Sequence, residues 1–74
     1  MMRADLAKAI AAMRRASSSA IEAGSEHADC SRLIKKFKKA MDKVHLLFEE
    51  FPEGPPPDLY DSYKSIRMPD AECV

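Results

Sequence analysis

Apolar side chains recur through the middle of the chain at steps of three and four: Cys30, Leu33, Phe37, Ala40, Val44, Leu47 and Phe51. That spacing fills successive a and d positions of a heptad, the mark of a helix face held against another helix. Ile34, Met41 and Phe48 fall at e and widen the seam to three positions in seven, as in a bundle helix. One partner helix cannot cover a face that wide.

Residues 2–23 are almost all good helix formers, with eight alanines and no proline or glycine. Their apolar line, Leu6, Ile10, Met13, Ser17 and Ala20 or Ile21, is narrower and smaller. Gly24 stands where a C-terminal cap belongs, Ser25 follows as an N-cap, and Glu26 and Asp29 suit a helix start. The pattern therefore predicts helix 1 over about 2–23 and helix 2 over about 26–51, the latter roughly 39 Å long at 1.5 Å per residue. A connection this short favours an antiparallel hairpin over one kinked helix through Gly24.

Antiparallel pairing sets Ile21 near Cys30, Met13 near Phe37, Ile10 near Met41 and Leu6 near Val44. Phe48 and Phe51 are then left opposite only residues 1–3. Burying one large apolar side chain is worth about 1.5 to 3 kcal/mol, so an uncovered end matters to a small domain.

Beyond the hairpin (1–51), Pro52-Glu53-Gly54-Pro55-Pro56-Pro57 predicts an extended spacer. Asp58 is placed to cap a short third helix over about 58–68, in which Leu59, Tyr63 and Ile66 share a face, and Pro69 stops it. Asp70 to Val74 have no periodicity and are expected to fray. The segment 58–74 thus reads as a short helix or arm within one domain.

Two coverings for the Phe48 and Phe51 end follow: the third segment folds back, or two hairpins join as a homodimeric four-helix bundle. Ala9, Ala12, Ala16 and Ala23 form a small-residue face that permits close approach by a further helix. The stripe residues Leu33, Phe37, Met41, Val44, Leu47, Phe48 and Phe51 are accordingly candidates for core or dimer contact. Leu59, Tyr60, Tyr63 and Ile66 are the candidate contact arm toward a partner, or a lid on the chain's own core.

Composition changes this picture in two respects. At 74 residues a single core stabilises little by itself, so something must supplement it. The net charge is zero but uneven: residues 1–48 carry ten basic and five acidic side chains, and residues 49–74 two basic and seven acidic. Cys30 and Cys73, in unlike contexts, read as free thiols in a reduced cytoplasmic setting. Lys8, Arg14 and Arg15 interrupt the Ala-rich start, against a leader or a membrane span there.

Candidate chemistry is sparse. His27 and Cys30 lie one turn apart, but His45 is too distant along the same predicted helix to complete a metal site, so no metal is expected. No glycine-rich turn or nucleophile constellation is present, and neither catalysis nor a cofactor is expected. Arg32, Lys35, Lys36, Lys38, Lys39 and Lys43 form a basic outer face, a candidate electrostatic contact for an acidic protein or for nucleic acid. No aromatic interleaves them for base stacking, which favours the protein.

The sequence thus predicts an all-α hairpin with a short C-terminal helix or arm, dimerising through the helix 2 stripe into a four-helix bundle. Its expected role is that of a small regulator or inhibitor that covers a surface of another protein; the Ala- and Arg-rich composition permits a bacterial or phage source. Alternatives are a nucleic-acid-binding dimer and a structural subunit of a larger assembly.

Overall fold

The computed structural model describes residues 2–69, 72 and 73. These form three helices, α1 (Met2–Ala23), α2 (Cys30–Phe48) and α3 (Pro57–Lys64), and no strand. The long helices pack antiparallel, as expected of two helices joined by a brief connection, in a body 41 × 17 × 16 Å.

The end of α1 is where the sequence places it. Gly24 adopts φ +80 and its amide donates to the Ala20 carbonyl at 3.1 Å, the left-handed cap that glycine adopts most easily.

Helix α2 is shorter than predicted at both ends, 19 residues and about 28 Å instead of 39 Å. Ser25 is not its N-cap, because residues 24–29 form successive turns. In them the His27 amide donates to the Gly24 carbonyl at 3.4 Å and the Cys30 amide to the His27 carbonyl at 3.0 Å. His27 Nδ1 accepts the Asp29 amide at 2.9 Å, and Asp29 takes the N-cap place with its carboxylate on Arg32 at 3.0 Å. At the other end the Glu50 and Phe51 amides donate to Leu47 and Phe48, three residues back. This tighter winding ends the α-helix ahead of Pro52, and Phe51 still packs on the core.

Helix α3 begins one residue before the predicted cap. Pro56 is extended (φ −54, ψ 137) and Pro57 opens the helix, where a missing amide costs nothing. Asp58 lies in the first turn, its side chain turned to Arg3. The helix ends at Lys64 instead of running to Met68, and Ile66 leaves it through a turn, its amide on the Tyr63 carbonyl at 3.1 Å.

The core answers the question of coverage. Leu6, Met13 and Val44 are fully enclosed, and Ile66, from the tail, is buried with them at 7% exposure. Phe48, Phe51, Leu59 and Tyr63 pack around the same cluster. The third segment therefore folds back over the far end of the stripe. Ala20, Cys30 and Ile34 make a second, smaller cluster near the connection.

Polar contacts hold the tail along α1. The Ser17 hydroxyl, 2% exposed, donates to the Arg67 carbonyl, and Arg14 donates to the Ser62 carbonyl at 2.9 Å and to its hydroxyl at 2.7 Å. Arg3 pairs with Asp58.

The expectation of two separate free thiols is corrected. Cys30 and Cys73 form a disulfide across a sequence separation of 43. The tail runs back along α1 toward the start of α2, which brings the chain end to Cys30. Cys73 is thus tied down, whereas Asp70, Ala71 and Val74, also expected to fray, lie outside the described residues.

Candidate docking surface

The three-position width of the α2 stripe divides between two neighbours, α1 and the tail, and one open side. The a residues Cys30, Phe37 and Val44 are buried against α1. At e, Phe48 meets the tail, its ring 5.1 Å from Tyr63 and 5.9 Å from Tyr60 in edge-on contacts. His45 joins this cluster through Nε2, 2.7 Å from the Tyr63 hydroxyl. The d residues Leu33, Ala40 and Leu47 are half-buried, and among the described residues none of the tail lines the cavities beside them.

On this d side α1 and α2 bound two shallow cavities of about 540 and 320 Å³. Both are lined by Ala12 and Arg15, so they form one trough along the hairpin. The floor is Ala9, Ala12 and Ala16 of α1 with Leu33, Ala40 and Leu47 of α2. Alanines keep the floor low because nothing beyond Cβ fills the space between the helices.

The rims are basic. Lys8 and Arg15 stand on the α1 side and Lys36 and Lys43 on the α2 side, with Asp5 the one acidic residue lining the trough. Among the described residues none of these four cations takes part in an ion pair or a side-chain hydrogen bond. Arg3 and Arg14, on the other side of α1, are engaged by the tail.

The predicted site residues are therefore distributed as follows. Phe37 and Val44 are core, and Met41, Phe48 and Phe51 pack against it. Leu33 and Leu47 pack beside the core and also floor the trough. Of the arm, Ile66 is core and Leu59 and Tyr63 lie on it, which leaves Tyr60 at 42% exposure. Arg32, Lys35, Lys36, Lys38, Lys39 and Lys43 are all exposed, but only Lys36 and Lys43 stand over the trough. Lys8 and Arg15 were not singled out from the sequence as site residues. Their spacing of seven on α1 matches that of Lys36 and Lys43 on α2, which is the signal that could have found them.

The Arg3–Asp58 pair holds the tail from outside. The Arg3 guanidinium, by hydrogen bond and by charge, lowers the Asp58 carboxyl below its ordinary range, and the carboxylate raises Arg3 in return. Both groups are exposed, so the pair orients α3 more than it stabilises the fold.

Among the described residues no group of three or more His, Cys, Asp or Glu is placed to hold a metal ion, and no helix is long and apolar enough to cross a membrane. Compared with protein-family models, with curated proteins and with solved structures, the chain matches none.

Proposed function

We propose that this protein acts without chemistry of its own, by docking on another protein through the α1/α2 trough and covering the surface it binds. One observation carries the reading: the tail closes one side of the hairpin, while the other keeps an apolar floor between rows of unengaged cations. A helical body stapled by a disulfide and by its own tail loses little conformational freedom on binding, which favours affinity from a small surface.

A homodimer through the α2 stripe would have only the d residues to use, because a and e are already covered. Two copies meeting there face to face would bring Lys8, Arg15, Lys36 and Lys43 of each toward the same cations of the other, which costs free energy. Binding to nucleic acid would use the whole outer row from Arg32 to Lys43, yet an apolar floor offers nothing to a phosphate backbone. The disulfide bears on where the protein works. Cys30–Cys73 persists in an oxidising compartment, whereas in the cytoplasm the tail would hold without it, by the packing of Leu59, Tyr63 and Ile66 and by its polar contacts to α1.

A photo-reactive residue at Ala12 tests the docking reading against a second one at Lys38, outside the trough. Crosslinking in cells to a discrete protein from Ala12 and not from Lys38 is expected. Equal crosslinking from both, or crosslinking to nucleic acid from either, would contradict it.

A further inference from the structure

Resting on that docking reading, we infer that the occupant of the trough is an acidic amphipathic helix of about four turns, supplied by another protein. The trough extends from Leu33 to Leu47 on α2, 14 steps and about 21 Å, or four helical turns. It is straight because both walls are helices. An amphipathic helix laid between two others, its apolar face on the floor, is an established mode of recognition. Alanines along the floor permit the close end of the usual 8 to 10 Å helix spacing.

Charge sets the class of helix. Lys8 and Arg15 are seven residues apart on one rim, and Lys36 and Lys43 seven apart on the other. A helix in the trough would therefore meet cations on both flanks at every second turn. The complementary sequence has apolar residues at a and d and Glu or Asp at e and g. The chain's own acidic segment does not fill this need, since α3 lies across α1 on the other side and its Asp58 is held by Arg3.

The test uses the purified, oxidised protein and a fluorescent synthetic peptide of about three heptads with Leu at a and d and Glu at e and g. Binding is read by anisotropy at low salt. Two further peptides carry Gln or Lys at e and g, and a mixed-sequence single-stranded DNA is the fourth ligand. Tight binding of the Glu peptide over the Gln peptide, no binding of the Lys peptide, and weakening as salt is raised are expected. Reversing both α2 cations (Lys36→Glu with Lys43→Glu) should weaken the Glu peptide on the order of tenfold to a hundredfold. Reversing Lys35 and Lys38, off the trough, should change it less than about threefold. Ala12→Leu, which raises the floor without altering charge, should also weaken it; far-UV circular dichroism confirms that each variant is folded.

Equal binding of the Glu, Gln and Lys peptides, abolished by Ala12→Leu, would overturn the acidic assignment and leave the docking reading standing. Binding of the DNA alone, or of no ligand at concentrations on the order of 1 mM, would overturn both. Concentration-dependent self-association that excludes the peptide would identify a second copy as the occupant and would also overturn the proposal.

Discussion

Removing the Cys30–Cys73 bond tests how much of this small fold depends on its tail. Cys73→Ser is the informative substitution, because Cys73 is exposed, whereas Cys30 is buried and its replacement would add a packing loss. In the chain-entropy account, closing a loop with a sequence separation of 43 removes about 13 cal/mol/K from the unfolded chain, or about 4 kcal/mol at 25 °C. Measured disulfides more often contribute about 2 to 4 kcal/mol, and in a domain of this size each kcal/mol shifts the midpoint by about 4 to 8 °C. Thermal melting followed by circular dichroism should therefore show Cys73→Ser lower than the oxidised protein by about 10 to 30 °C. Reductant should bring the parent protein down to the variant and leave the variant unmoved. Two titratable thiols in the unreduced parent, or coincident melts of parent and variant, would refute the reasoning.

Other substitutions examine separate links. Ile66→Ala should cost about 2 to 5 kcal/mol in urea unfolding, as a core residue does; less than about 0.5 kcal/mol would mean that the tail is not part of the core. Val44→Asp places a carboxylate at a fully enclosed position and should abolish helical circular dichroism under native conditions, and retention of the native spectrum would contradict the core assignment. Because Arg3 lowers the folded-state Asp58 carboxyl, that pair supports the tail above the ordinary carboxylate range, and the support is lost as pH falls through the lowered value. Proteolysis near α3 should rise over that acid window in the parent, whereas Asp58→Asn should be susceptible at neutral pH already; identical profiles would dismiss the pair. Gly24→Ala meets no atom within 4 Å and should cost only the left-handed backbone penalty, about 1 to 2 kcal/mol in urea unfolding, with a negligible loss arguing against the positive φ.

The helices and their antiparallel pairing were legible because each rests on local patterns: alanine content, a glycine cap and the heptad of α2. The ends of α2 were not. Its start depends on the His27 ring taking the Asp29 amide, a geometry that composition does not encode. The width of the stripe correctly called for more cover than α1 provides, but not from which side. Ile66 and Ser17 decide that, and Ser17 reads in sequence as a weak place in the α1 seam when it is the donor that holds the Arg67 carbonyl. The disulfide escaped notice because Cys73 lies close to Cys30 only once the tail has folded back. The trough itself was half visible, in the small face of Ala9, Ala12 and Ala16. Its basic rims needed the register of the two helices to bring Lys8 and Arg15 across from Lys43 and Lys36.

The division of the hairpin into a side closed by the tail and a side left for a partner is tested most directly by amide chemical shifts. With the ¹⁵N-labelled, oxidised protein titrated with the acidic heptad peptide, shifts should be confined to α1 from Asp5 to Ser19 and α2 from Leu33 to Leu47, with α3 unmoved. Shifts centred on exposed Leu46, Tyr60 and Met68, or displacement of the tail, would contradict the account.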